Sequence, residues 1–175
     1  MYIAAAVHDY EHPGTNNIYN INAGTMYAIR YNGKLHHNLL RKLDKSVLEN
    51  HHVSAAFTVM RDETFNIFKN FTTTDYKIAR ERIISMVLGT DMACHFSDVA
   101  KLKGRLAAGN SSLLVVILVD FNPKDTDKHF AMNILVHAAD ISNPLKPWDN
   151  CRQWAFRILE EFWSQVRIDE ILLIG

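Results

Sequence analysis

Apolar residues recur at steps of three and four along most of this chain, which is the spacing of amphipathic α-helices. The segment after Ser46 shows it clearly, because Val53, Ala56, Phe57 and Met60 share one helical face. Other stripes of this spacing are Ala79, Ile83, Met86 and Val87; Met92, Phe96, Val99, Leu102 and Leu106; Phe130, Ile134 and Ala138; and Trp148, Cys151, Ala155, Ile158 and Phe162. Neither a run of alternating strands nor an internal repeat interrupts this pattern. The sequence therefore predicts an all-α helical bundle, in which a metal site is built from inward side chains of several helices.

Local signals predict how some of these segments begin. Ser46 and Glu49 have the spacing of a capping box, which predicts a helix N-terminus at Ser46. A shorter helix is predicted at residues 62–70. Residues 15–21 are rich in asparagine and are predicted to form a turn.

Composition excludes several classes of protein. The 175 residues are 48% hydrophobic, which is enough for a single domain to bury a core. The formal net charge is zero, so the chain lacks the excess of basic residues that would indicate a nucleic-acid partner. The longest apolar run, residues 113–119, is much shorter than the roughly 20 residues that cross a membrane. Cys94 and Cys151 lie far apart, without the spacing of a metal motif. We expect a cytoplasmic protein without a membrane span.

Metal-binding groups are concentrated near the N-terminus. The chain has nine histidines, and His8 is followed directly by Asp9. An imidazole next to a carboxylate that can reach two ions is typical of two-metal hydrolytic sites. Because a lone His-Asp pair is a common dipeptide, this interpretation depends on the rest of the chain.

Five motifs of the chain occur in the order of one known family. They are His8-Asp9-Tyr10-Glu11-His12-Pro13-Gly14, Ser46-Val47-Leu48-Glu49-Asn50-His51-His52, Met86-Val87-Leu88-Gly89-Thr90-Asp91-Met92, His137-Ala138-Ala139-Asp140-Ile141-Ser142-Asn143-Pro144 and Arg152-Gln153-Trp154. With these motifs the chain resembles the catalytic domain of the class I cyclic-nucleotide phosphodiesterases. The amino-acid sequence of the motifs is most similar to that of the calmodulin-dependent branch. The resemblance implies a helical fold of the HD-type phosphohydrolases, present here in part.

The resemblance also implies an activity. Members of this family hydrolyse cAMP or cGMP to the 5′-monophosphate, with zinc at a first site and magnesium or manganese at a second. His8, Asp9 and Asp140 would be ligands of the first metal, and Asp9 would also reach the second. A hydroxide that bridges the two metals would attack phosphorus while both ions neutralise the developing charge.

Further roles follow from the same motifs. Besides Asp9, the residues with catalytic roles would be His12 and Glu49. The residues that would orient ligands or metal-bound water are His12, Glu49, His52, Thr90 and His137. The residues that would line the nucleotide pocket are Met92, Asn143, Trp154, Ile158 and Phe162.

Simpler interpretations compete with these roles. Glu49 could serve only the capping box, and Thr90 could cap the following helix. His52 and His137 could be hydrogen-bonded core histidines. The pocket residues of the last helix have the spacing of core residues. His8, Asp9 and Asp140 have no equally good alternative, since a buried carboxylate without a cation costs several kcal/mol.

Some segments depart from the family pattern. Residues 33–43 and 111–120 resemble inserts, and residues 166–175 resemble a foreign tail. The family motif His-Asn-x-x-His, which supplies the general acid and one more metal ligand, would precede Met1. We therefore expect residues 1–175 to form a single, incomplete catalytic domain that binds a cyclic nucleotide. A regulatory domain or calmodulin would act on a longer chain, since neither is encoded here.

Two alternatives to this function remain open. The chain could be an inactive or impaired fragment that only binds metal or a partner. It could also be another HD-type phosphohydrolase that acts on nucleotides, although those families lack the Ser-Val-Leu-Glu-Asn-His-His stretch.

Overall fold

The computed structural model describes residues 1–31, 44–107 and 126–174, and the regular structure within these ranges is helical throughout. The all-α prediction is therefore confirmed for the described residues. Both predicted inserts lie outside them. The α-helices are α1 (Tyr2–Val7), α2 (Asn17–Asn22), α3 (Met26–Tyr31), α4 (Val47–Val59), α5 (Thr73–Leu88), α6 (His95–Ala107), α7 (Thr126–Asp140) and α8 (Trp148–Ile174). Two short 3-10 helices precede α6 and α8, at Met92–Cys94 and Asn143–Leu145.

Helix α5 lies at the centre of the bundle and packs against α1, α4 and α7. The apolar stripe predicted from its sequence supplies the contact, since Ile83, Met86 and Val87 are buried. The buried core is formed by Ala4, Val53, Phe57, Phe68, Ile83, Met86, Val87 and Val136. This core brings the C-terminal end of α1 and the C-terminal half of α7 onto the same bundle.

A substitution in this core should have a large effect on stability. The Met86 side chain is almost fully buried, at 2% exposure. We expect Met86→Ala to lower the free energy of unfolding by about 2–5 kcal/mol, because it leaves a cavity between packed helices. Ile78→Ala is the matched control, since Ile78 lies on the same helix but is 42% exposed. Urea denaturation measures both values; equal losses in the two variants would contradict the assignment of the core.

Two predictions about local structure were wrong. Residues 62–70 form turns rather than a helix. Residues 15–21, predicted as a turn, contain most of α2. Asn16 caps this helix, because its side-chain oxygen accepts a hydrogen bond from the Tyr19 backbone N–H at 2.8 Å. Asparagine favours helix caps as well as turns, and the sequence pattern did not separate the two.

The predicted capping box at the start of α4 does not form. Ser46 has a left-handed backbone, with φ at 51°, and its side chain caps nothing. Instead its hydroxyl donates a hydrogen bond to Asp91 Oδ2 at 2.6 Å, in a buried contact between α4 and the segment before α6. The helix itself was predicted correctly, but its N-terminus is fixed by a tertiary contact.

The last helix, α8, contacts the bundle less than its sequence predicts. It packs against the short helix Asn143–Leu145, and Gln165 Oε1 accepts a hydrogen bond from the Asn16 backbone N–H at 2.9 Å. Its apolar residues remain exposed: Trp148 at 73% and Phe162 at 50%. The competing interpretation of this stripe as core packing is therefore not supported. Among the helices that the structure describes, none combines the length and apolar content needed to cross a bilayer.

Candidate metal centre

The first candidate ligand group forms where the ends of α1 and α7 meet. His8 directly follows α1, and its Nδ1–H donates a hydrogen bond to the Ala5 carbonyl at 2.8 Å. Its Nε2 lies 3.2 Å from Asp140 Oδ1 and 3.3 Å from Asp9 Oδ2. A histidine held through Nδ1 by a backbone carbonyl presents Nε2 in a fixed direction, as metal-ligating histidines do. The structure thus brings together three residues that are up to 132 positions apart.

A second ligand group shares one residue with the first. Asp9, His12 and His52 offer ligand atoms that lie within 4.8 Å of one another, and the same holds for His8, Asp9 and Asp140. His52 repeats the arrangement of His8, since its Nδ1–H donates to the Tyr10 carbonyl at 2.7 Å while its Nε2 lies 4.0 Å from Asp9 Oδ1. Asp9 therefore belongs to both groups, as a carboxylate that bridges two ions would.

Hydrogen bonds and burial shift the pKa values of this centre. Hydrogen bonds from His8 to Asp140 and to Asp9 raise the pKa of His8 to about 10. The hydrogen bond with His8 lowers the pKa of Asp9 in turn. Burial lowers the pKa of His52, which favours the neutral imidazole that a metal requires. Without a metal ion, the His8 imidazolium is the positive charge between the two carboxylates.

We expect the raised pKa of His8 to make metal binding at this centre dependent on pH. In the metal-free chain its charged form adds stability that is fully present below pH 6.5 and is lost as the pH rises through about 10. A metal must displace this proton, so we expect zinc affinity to rise about tenfold from pH 6.5 to 7.5, with about one proton released per ion. Calorimetry in buffers of different ionisation enthalpy counts the protons. Binding without proton release would contradict the position of His8 in the centre.

Glu49 is held beside the centre by a residue that sequence reasoning missed. Asn17 Nδ2 donates to Glu49 Oε2 at 2.9 Å, and Asn17 Oδ1 accepts from the Leu48 backbone N–H at 2.9 Å. Burial raises the pKa of the Glu49 carboxyl. Glu49 lies one turn before His52 on α4, so both side chains leave the same side of this helix. The asparagine-rich segment was the only available signal for Asn17.

The turn between Asp9 and α2 is fixed by a contact to α4. Glu11 has a left-handed backbone, with φ at 60°, and its Oε2 accepts a hydrogen bond from His51 Nε2–H at 3.0 Å. His12 lies after this residue, and its ring stacks on the ring of His52 at a centroid distance of 5.5 Å. His51 therefore binds the Glu11 side chain, and His52 contacts Tyr10 and His12, so that both histidines of α4 hold the turn that follows Asp9.

Two residues assigned to support the centre make contacts elsewhere. Thr90 is buried, and its hydroxyl donates to the Val87 carbonyl at 2.8 Å. His137 is buried one turn before Asp140, with its Nε2 at 2.9 Å from His95 Nδ1. Neither belongs to the two ligand groups. Their roles in orienting ligands or water stay predictions.

The residues predicted for a nucleotide pocket lie on α8 and on the short helices before α6 and α8. Asn143 Oδ1 accepts a hydrogen bond from Lys146 Nζ, which also lies 5.5 Å from the centre of the Trp154 ring. The exposed fractions of the pocket residues on α8 and of Met92 are 44% for Trp154, 40% for Ile158, 50% for Phe162 and 57% for Met92. These side chains are accessible, and their contact with a nucleotide stays a prediction.

Comparison with known proteins points to one family. The family model described as 3′5′-cyclic nucleotide phosphodiesterase matches residues 1–172. The dual specificity calcium/calmodulin-dependent 3′,5′-cyclic nucleotide phosphodiesterase 1B of Bos taurus is 40% identical over 162 residues, which are 93% of this chain and 26% of that protein. The probable 3′,5′-cyclic phosphodiesterase pde-1 of Caenorhabditis elegans is 37% identical over 161 residues, or 92% of this chain and 20% of that protein.

Solved structures agree with the sequence matches. The phosphodiesterase domain of Salpingoeca rosetta rhodopsin phosphodiesterase aligns with a TM-score of 0.81 at 30% identity, over 97% of this chain and 46% of that one. The chain thus spans about a quarter of the bovine relative and about half of this solved domain.

Proposed function

Because this chain belongs to the 3′,5′-cyclic nucleotide phosphodiesterase family, we propose that it hydrolyses the cyclic phosphodiester of cAMP or cGMP to the 5′-monophosphate. The observation that carries the proposal is the meeting of His8, Asp9 and Asp140 at one point between α1 and α7. These groups are distant in sequence, and together they bring an imidazole and two carboxylates to one point, which is a donor set typical of a divalent metal site.

The donor set fits two divalent ions. Imidazole and carboxylate suit zinc at the group of His8, Asp9 and Asp140, and we propose magnesium or manganese at the group around Asp9 and His12. When bound, the two ions would supply a nucleophilic water of lowered pKa and neutralise charge on the phosphoryl oxygens. The Asp9 side chain is 61% exposed, so its position between the two groups is open to substrate.

The chain's own residues position these ligands. The Ala5 and Tyr10 carbonyls orient the rings of His8 and His52 through their Nδ1–H groups. Asn17 orients the Glu49 carboxylate, and we propose that His12 and Glu49 hold water at the second ion. We propose that the nucleotide contacts Asn143, Trp154, Ile158, Phe162 and Met92. The last four of these side chains are exposed enough to do so.

We infer that residues 1–175 act as one catalytic-domain unit, with inserts at 33–43 and 111–120 and a tail at 166–175. Cys94 and Cys151 are both free, which fits the reducing cytoplasm. Calmodulin is proposed as a partner only where this domain is part of a longer chain with a regulatory segment.

The identity of the product tests the function. Incubated with zinc, magnesium and cAMP or cGMP, the chain should release the 5′-monophosphate, as measured by chromatography, and Asp9→Asn should abolish the release. Asp149→Asn, an exposed acid in the first turn of α8, is the control and should retain it. Release of phosphate from a nucleoside 5′-monophosphate, with no attack on the cyclic diester, would favour another HD-type phosphohydrolase instead.

A further inference from the structure

A surface cavity of about 490 Å³ lies between α3, α4 and α5, and the proposed function does not use it. Its α4 wall is formed by Asn50, Val53, Ser54, Phe57 and Thr58. The remaining lining residues are Tyr31, Arg61, Tyr76, Arg80 and Ile84. Its volume is in the usual range of small-molecule sites, which is about 300–1,000 Å³.

This cavity lies on the side of α4 opposite the metal centre. Asn50, Ser54 and Phe57 recur at steps of four and three on α4, so they share one helical face. Glu49 and His52 leave the helix on the other side, where they face the metal centre. The cavity is therefore a site separate from the proposed catalytic one.

The charged groups among the residues that line this cavity are all positive. Arg61 and Arg80 both line it, and the lining residues include no carboxylate. Within residues 1–31, 44–107 and 126–174, neither guanidinium makes a hydrogen bond or an ion pair. Arg80 is held in place by Phe57, whose ring centre lies 4.3 Å from the guanidinium carbon. Two guanidinium groups at one concave site, of which that of Arg80 is held over a ring, favour an anion with several acceptor oxygens.

The rest of the lining indicates what else the ligand carries. Val53 and Phe57 are buried in the wall, and the ring of Tyr76 stands at the rim with 36% exposure. The Ser54 hydroxyl, which makes no hydrogen bond with a described residue, is available to donate to an oxygen. An aromatic ring suits the apolar wall, and a phosphate of charge about −2 balances the two arginines. We propose that this cavity binds a small organic phosphate that carries an aromatic ring, the ligand class that includes mononucleotides.

Titration of the metal-free chain with phenyl phosphate tests the proposal, with binding followed by NMR. Without metal, the probe has no ions to bind at the catalytic centre, and it is a monoester that the proposed hydrolysis does not use. We expect saturable binding that weakens about tenfold in Arg80→Gln, since a charge-assisted hydrogen bond is lost. Ser54→Glu should weaken it at least as much, because it adds a carboxylate at an exposed position without disturbing the core.

Arg152→Gln is the matched control, because Arg152 also lies over a phenylalanine, Phe156, at 5.5 Å, but outside the cavity. The affinity of the Arg152→Gln variant for phenyl phosphate should equal that of the unmodified chain. Circular dichroism verifies that each variant is folded. The proposal is overturned if phenyl phosphate does not saturate, if phenol binds equally well, or if Arg152→Gln weakens binding as much as Ser54→Glu.

Discussion

Replacement of Asp9 by asparagine is expected to remove both bound metal ions, whereas replacement of Asp140 is expected to remove only the first. Asp9 is the one residue common to the two ligand groups, and Asp140 belongs to the group of His8 alone. Loss of an outer-shell partner already costs 10–100-fold in metal affinity, so loss of a ligand should cost about 100-fold or more. Elemental analysis after dialysis gives the number of ions in each variant.

Asp149→Asn serves as the control for both variants, since Asp149 is an exposed carboxylate on α8 outside the two ligand groups. It should retain the metal content of the unmodified chain. Unchanged zinc content in Asp140→Asn would contradict the assignment of the first site. Retention of one ion in Asp9→Asn would show that the second group does not depend on the shared carboxylate.

Turnover of cAMP and cGMP by these 175 residues alone should be about 10²–10⁴-fold slower than by an intact relative, the range that general-acid help supplies. The sequence contains no His-Asn-x-x-His segment, the motif to which the family resemblance assigns the proton donor for the leaving oxygen. A steady-state assay with each nucleotide measures the difference.

A substrate with a better leaving group separates the loss of the proton donor from a misplaced metal. p-Nitrophenolate leaves without protonation, so cleavage of bis(p-nitrophenyl) phosphate should be much less impaired than cleavage of cAMP. Equal impairment of both substrates would place the defect in the metal centre. Turnover of cAMP as fast as an intact relative's, and blocked by Asp9→Ala, would show that another residue replaces the missing histidine.

The sequence predicted the bundle well because helical periodicity is a local property. The stripe of Ile83, Met86 and Val87 specifies which face of α5 is buried without reference to any other segment. Ser46 shows where this reasoning fails. Its capping-box pattern is local, but a buried hydrogen bond to Asp91, 45 positions away, determines its conformation.

The sequence motifs predicted only part of the candidate site. His8, Asp9 and Asp140 were named from sequence, and the structure places them together. The Nδ1 hydrogen bonds of His8 and His52 go to backbone carbonyls, which any residue can supply, so no sequence pattern indicates them. Asn17 was missed for a related reason, since its contact with Glu49 joins two helices whose packing the sequence does not specify.

Anomalous X-ray diffraction from crystals of the zinc-bound chain, measured at the zinc absorption edge, tests the central claim most directly. The account predicts a peak among His8 Nε2, Asp9 and Asp140, at the meeting point of α1 and α7. It also predicts that this peak is absent from crystals of Asp140→Asn. Zinc bound at other residues, with no peak among His8, Asp9 and Asp140, would contradict the account.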